Sequence, residues 1–497
     1  MLIAVRAPTF GVVVALLSLS WLAACGAPSA PETTTGQPNG ATPGATQPDV
    51  AAAPTSSTRH GADGATAGCG LQRAFEPAQR IGDIAPQTTT FGPDVVGLDG
   101  RGNAMMLGTR WTSGGQNIVA QQFSPNGGWQ LAHPIGSGAR FPQIAMNAAG
   151  AAVAVWDQSG LAASYYTSTS GWQPAQEILQ AERVGWIGAV QVAIDRHGDA
   201  IVTWRDASRL ATELWVRRYS ARAGWLPPLR LDRAEHENTL GEPSLAMDDA
   251  GNAVLLWTRT PQVDRPPALL ARRFDVERGW RSTQLVSSGT EALAAKVALG
   301  ARGEAIAVWH QADGHAIWAA RAALDGPWQT PERIGGLAAG QTGFAHGATV
   351  AADARGDAIV AWLLMETSRL GNGVTVVARR YRAGRGWDSA RALERPGTAR
   401  SQALQLRMDA CGNALLTWQR FHDDHRTTSV WYGRHSASGQ WRTAALVVPA
   451  VGVQPGAPHL ALTPAGDAIA VWAEGRSGSD GSWTRSMWAR RLVPAAR

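Results

Sequence analysis

Lysine is almost missing from this chain. It occurs once, at Lys296, so nearly all of the 45 basic residues are arginine. Charged residues make up only 17%, and tyrosine and phenylalanine number 5 and 8. Outside the N-terminus no apolar segment is long enough to give a helix a buried face, so helical folds are not expected. Motifs that carry chemistry are missing as well. There is no serine nucleophile elbow, no phosphate loop and no His-Glu-x-x-His zinc motif. The formal net charge is +6, but the arginines recur at one position of a repeat and are therefore spread round the molecule. Nucleic-acid recognition needs positive charge gathered on one face, and that partner is not expected.

What the chain has in quantity is tryptophan (22), glycine (56) and an apolar fraction of 44%, enough for a large core. It also has a repeated phrase. "DDAGNAVLLWTR" from Asp248 has counterparts in "DRHGDAIVTWRD" from Asp195, "DARGDAIVAWLL" from Asp353 and "DACGNALLTWQR" from Asp409. The turn glycines are Gly102, Gly150, Gly198, Gly251, Gly303, Gly356, Gly412 and Gly466, spaced by 48, 48, 53, 52, 53, 56 and 54 residues. Eight copies of about 50 residues define one repeat architecture.

Each copy carries four short apolar segments bounded by Gly, Asp and Pro, which read as strands. The first ends at the Asp-x-x-Gly turn. The second follows the turn and ends in Trp156, Trp204, Trp257, Trp309, Trp362, Trp418 or Trp472, with Gly108 in the first copy. It is apolar at consecutive positions, as a strand packed on both faces requires. The third carries Arg217, Arg272, Arg321, Arg379, Arg434 and Arg490 at one position, for which pairing with the turn Asp or simple exposure is expected. The fourth opens on Trp129, Trp172, Trp225, Trp280, Trp328, Trp387 or Trp441. In the turn, Asp is expected to accept backbone N–H bonds and Gly to take positive φ. Asn147, Gly300 and Thr463 replace the Asp in three copies, which argues against a shared calcium site.

The eighth copy stops after its third strand, "MWARRL" from Met487. The missing fourth appears at the other end, where "FEPAQRI" from Phe75 matches "WQPAQEI" from Trp172. The expected fold is all-β: an eight-bladed β-propeller of four-stranded blades, the last blade closed by the N-terminal strand. A propeller of this kind is expected to be monomeric. The repeats resemble those of bacterial β-propeller repeat lipoproteins over roughly residues 71–497. Sialidases and the propeller lipoprotein of outer-membrane assembly are similar at the level of fold only, and the sialidase Ser-x-Asp-x-Gly-x-Thr-Trp box is absent.

The N-terminus reads "MLIAVRAPTFGVVVALLSLSWLAACG". Arg6 precedes an apolar run from Phe10 to Leu22 that is too short for an ordinary membrane span. Leu22-Ala23-Ala24-Cys25 resembles the lipobox of bacterial lipoproteins. That resemblance implies cleavage before Cys25, lipidation of its thiol and anchoring in a membrane; Gly26, rather than Asp, leans towards the outer membrane. The expected organisation is a signal peptide over 1–24, a disordered Ala/Pro/Thr/Gly tether over 25–68 and the propeller over 69–497. The tether's reach is roughly 35 Å. With Cys25 lipidated, Cys69 and Cys411 remain in an exported chain, and a disulfide between them is expected.

In a four-stranded blade the second–third loops and the blade-to-blade linkers share one face. The residues just after the second strands, Arg110, Asp157, Arg205, Asp206, Arg259, His310, Gln311, Arg420 and Glu474, read as solvated strand ends round a channel mouth. Tryptophans outside the repeat positions on this face are Trp111, after the second strand of the first copy, Trp186, in a linker, and Trp483, in a second–third loop. With Arg110 and Asp157 they form the candidate binding patch, since exposed indoles stack on sugar faces and anchor protein interfaces. "HDDH" from His422 to His425 is read as a polar loop rather than a metal site. No cofactor, metal or catalytic residue is expected. The function expected is that of a lipid-anchored envelope protein that binds a protein or a glycan; the alternative is a sialidase-like hydrolase or lyase.

Overall fold

The computed structural model describes residues 73–84, 95–112, 115–179, 186–208, 210–235, 239–260, 267–289, 291–300, 302–323, 325–368, 371–394, 399–422, 427–447, 453–477 and 483–494. The chain is all-β, and no helix occurs among the described residues. The strands form antiparallel sheets that follow the sequence repeat. Six sheets of four to six strands each hold one copy. A nine-stranded sheet holds the sixth and seventh copies, which are joined by a single parallel pair, Val374 with Arg400.

The turn that recurs in the sequence does what its residues dictate. Asp248 Oδ1 accepts the N–H groups of Ala250 and Asn252 at 3.0 and 2.9 Å, and its Oδ2 accepts from the Asn252 side chain at 3.0 Å. Gly251 then turns the chain at φ 93°, a conformation only glycine adopts without strain. Asp99, Asp195, Asp353 and Asp409 repeat the two backbone bonds, and Asn147 makes them through its side-chain oxygen.

The second strands are buried on both faces. Ala253–Trp257 is buried at every residue, and the seven second-strand tryptophans are 0–1% exposed. Each apolar cluster draws on two successive copies: Val153, Val155 and Leu161 pack with Val202 and Trp204, for example. The last cluster joins Ile469, Val471 and Met487 to Val96, Leu98, Met106 and Phe123, so the eighth copy packs against the first. The first strands likewise touch their neighbours in sequence, and the strand His459–Leu462 meets Val96–Leu98. Among the described residues, apolar packing thus runs on from the eighth copy to the first.

Two expectations need correction. In most copies the fourth segment is not one continuous strand. It is a two-residue piece such as Gly171–Trp172 followed by a second such as Gln176–Leu179, both paired with the third strand. The seventh copy keeps it whole as Trp441–Val447. The carbonyl left out of the ladder at the break is what several of the repeated arginines serve, whereas Arg321 meets Tyr381 Oη and Glu332. Arg217 donates from Nε to Leu226 O at 2.8 Å, Arg272 to Arg281 O at 2.5 Å and Arg379 to Asp388 O at 2.6 Å. Their bonds go to backbone carbonyls, not to the turn Asp. Two of these guanidinium groups also reach across: Arg217 Nη1 bonds Ile178 O and Arg379 Nη1 bonds Ile334 O of the preceding sheet, both at 2.5 Å. A guanidinium suits this task because its donors lie in one plane and point in several directions.

The N-terminal strands take part in the same pattern. Arg73–Phe75 and Gln79–Ile84 pair with Trp483–Pro494, and Arg490 Nε donates to Glu76 O at 2.8 Å, where other copies use their own fourth segment. Arg434 Nη1 bonds Arg73 O at 2.9 Å. Gln121 holds the arginine position in the first copy and bonds Gln130 O at 2.9 Å and Ile81 O at 3.3 Å. The fourth-segment tryptophans sit against an aromatic ring of their own third strand, as Trp225 does on Tyr219 and Trp387 on Tyr381, with centroids 5.2 and 5.3 Å apart. Both tyrosines therefore have structural work.

Candidate ligand-binding face

The face opposite the turns is built differently. Five first strands carry a bulge near their start, seen as a register shift against the second strand. Each bulge holds a residue in the left-handed region: Phe141 at φ 54°, Ala189 at 52°, Ala294 at 48°, Gly347 at 63° and Ala403 at 56°. For the four that are not glycine this costs about 1 kcal/mol or more each. Bulges re-aim the side chains before them. Three residues ahead of each bulge stand Gly138, Trp186, Glu291, Phe344 and Arg400. One structural position thus carries five different chemistries in a molecule that otherwise repeats itself. Trp186 is 59% exposed and Phe344 42%, and Phe141 at its own bulge is 45% exposed.

The strand ends expected to be solvated are largely built in. Asp206 and Glu474 are 7% exposed. Glu474 accepts the Trp472 indole N–H at 3.0 Å. Asp232, in a fourth segment, accepts from Trp257 at 2.7 Å and from Arg259 at 2.5 Å. Glu394 accepts from Ser401 at 2.8 Å and lies 3.5 Å from Arg420; burial pushes its carboxyl above the usual range. Burial, and then His346, hold the His310 imidazole down to about 4, so it is neutral at pH 7. Sequence reasoning missed Asp232, Glu394 and His346 because their partners come from other copies.

Of the predicted patch, Trp186 opens the strand Trp186–Ile194 and pairs with Ala207, rather than lying in a linker. Trp111 falls inside the strand Ala104–Thr112, paired with Gln116, and Trp483 opens the last strand, paired with Ser477. All three were expected outside strands; pairing of the neighbouring strand carries the ladder out to them. Arg110 is exposed and paired with Asn117. Asp157 accepts a 2.9 Å bond from Arg140 Nε, and Arg140 lies 5.5 Å from the Phe141 ring.

Cys25 and Cys69 lie outside the described residues, as do the predicted signal peptide and tether. Cys411 is disulfide-bonded. In "HDDH" only His422 is described; its Nε2 meets Ser429 Oγ at 2.9 Å. Among the described residues no group of three or more His, Cys, Asp or Glu side chains is arranged to hold a metal, and no helix is long and apolar enough to cross a membrane.

No family model and no curated protein sequence matches the chain. Solved structures that are similar to it include a puromycin hydrolase, at 13% identity over 80% of this chain and 62% of that one, with a TM-score of 0.43. A polysaccharide lyase is similar at 10% identity over 69% and 88% of the two chains, TM-score 0.40. The fucose-specific lectin of Aleuria aurantia is similar at 12% over 63% and 99%, TM-score 0.33. These neighbours have propeller-like folds, and at such identities the likeness concerns fold alone.

Proposed function

We propose that the chain is a non-enzymatic binding protein of the cell envelope, held to a membrane by lipid on Cys25. It presents an eight-bladed β-propeller closed by residues 73–84, with Cys69 and Cys411 disulfide-bonded. Its ligand, a protein or a glycan, docks on the face that carries the bulges. The observation behind this reading is the contrast between a turn face that repeats with few changes and an opposite rim where aromatic side chains stand exposed at positions that vary from copy to copy. Binding is favoured over hydrolysis because three acids near that face are committed: Asp157 to Arg140, Asp232 to Trp257 and Arg259, Glu474 to Trp472. A general acid–base pair needs carboxyls turned to substrate. The test is affinity capture from native membranes with the full chain, reading both proteins and glycans by mass spectrometry, together with the mass of the mature N-terminal peptide. Specific retention and diacylglycerol on Cys25 are expected. A soluble unmodified chain, or turnover of a glycan substrate, would overturn it.

A further inference from the structure

Trp186 is exposed, yet its indole rests on the protein. Its ring lies back over Gly188, two residues along the same strand and so on the same side of the sheet. A Cβ at Gly188 would stand 2.1 Å from a ring carbon, so only glycine leaves space for the indole there. Directly across the ladder from Gly188 is Arg205, whose guanidinium sits 5.3 Å from the ring centroid. Arg205 is itself fixed by a 2.9 Å bond from Nη1 to Leu240 O of the next copy. Burial lowers the affinity of its guanidinium for the proton, and its Nε is buried with no hydrogen-bond partner among the described residues. The bulge at Ala189 follows at once and tips this strand end outward. The indole thus rests on Gly188 and Arg205, and the residue remains 59% exposed.

The strand that touches this one, Arg140–Met146, brings polar groups to the same rim. Arg140 is 59% exposed while its Nε holds Asp157, and Phe141 follows it. A flat, pre-positioned aromatic ring beside fixed donors and acceptors suits one class of ligand well: a pyranose, whose axial C–H groups form an apolar face and whose hydroxyls lie round its edge. A protein side chain adapts to a mobile indole; a rigid sugar ring gains most from one already in place.

Resting on the binding function proposed above, we infer that Trp186 is the stacking platform of an oligosaccharide site, with Gly188 and Arg205 as its positioning residues and the Arg140–Asp157 pair as its polar edge. The probe is an array of neutral and uronate-containing oligosaccharides, with calorimetric titration of the strongest binder. Trp186→Ala is expected to weaken that binding about tenfold or more, and Trp186→Phe to recover part of it. Gly188→Val, which drives the indole off its seat, is expected to weaken it comparably with the chain still folded by thermal melting. Trp186→Ala itself is expected to leave the melting temperature unchanged, since so exposed a ring adds little to the core. Sugar binding that survives Trp186→Ala overturns the site and leaves a glycan-binding function standing. A wild-type chain that retains envelope proteins but no sugar overturns the inference alone; one that retains neither overturns the binding function with it.

Discussion

The two rims of this molecule are made from the same repeat and obey different rules. On the turn rim nearly every copy spends its polar residues inward: Asp248 on its own loop, Arg217 and Arg379 on the carbonyls of two sheets. On the opposite rim the backbone is bulged, and the position ahead of the bulge runs from Gly138 through Trp186 and Glu291 to Phe344 and Arg400. A group that bonds the backbone of its own turn or of two sheets can change only to one that meets the same need, as Asn147 and Gln121 do. A side chain at the strand end beyond a bulge has no such duty, and that is where a repeat protein has latitude to acquire a ligand.

The sharpest way to break this comparison is at the closure of the ring. Deleting residues 73–84 removes two strands from Trp483–Pro494, the carbonyl partners of Arg434 and Arg490, and Ile81 from the last core cluster. We expect the loss of a cooperative melting transition, or a fall in stability above about 5 kcal/mol, measured by calorimetry. A melting curve that matches the intact chain would show that the ring does not depend on its N-terminal strands.

Next in size is the core. Trp257 is 1% exposed and packs among Leu214, Leu231 and Leu255. Trp257→Ala should cost about 3–5 kcal/mol in denaturant unfolding, and it leaves Asp232 without its indole donor. A loss below about 1 kcal/mol would mean the second-strand tryptophans are not what joins the sheets.

Acid should expose a departure from the repeat. His435 stands where other copies have Phe123, Tyr219 or Phe274, packed 5.0 Å from Trp441. Burial, with Arg380 next, lowers its pKa from 6.5 to about 4. The folded state therefore binds its proton less readily than the unfolded chain. Stability should be level above pH 6.5 and fall as the pH drops from there to about 4, by roughly 2–3 kcal/mol from this group. His435→Phe restores the usual ring and should remove that part of the slope; an unchanged pH profile of melting would place the acid sensitivity elsewhere, at His310 first.

The smallest effect concerns the turn. Asp248→Ala deletes acceptors for two backbone N–H groups and the Asn252 amide, and about 1–2 kcal/mol should be lost by chemical denaturation. Thr463→Ala, where the hydroxyl accepts only the Asp467 N–H at 3.1 Å, should cost less by comparison; equal losses at both would show that the turn's backbone, not its carboxylate, does the holding.

Much of the fold was legible because each copy repeats local instructions. The Asp-x-x-Gly turn, the two-faced burial of "AVLLW" and the match of "FEPAQRI" to "WQPAQEI" all depend on residues near one another or on copies of the same string. The errors have one cause. Arg217 was expected on the turn Asp or in solvent because its true partners, Leu226 O and Ile178 O, lie nine and 39 residues away, the second in another sheet. Asp206 and Glu474 were expected in water, yet the neighbouring strands cover them. The candidate site was legible only in part: Trp186 was picked out as exposed, but nothing local marks Gly188 as its seat or Arg205 as its backing.

By itself, then, the sequence determined the strand pattern, the turn chemistry, the two-sided core and the pairing of the two chain ends, because periodicity and φ preference act over a few residues and identical strings demand identical surroundings. The tertiary structure alone decided which carbonyls the arginines serve, which strand ends are covered, and which tryptophan is held flat in the open. Those depend on backbone groups left unpaired by a break or a bulge, and whether such a group meets a side chain or water is settled only when a neighbouring sheet arrives.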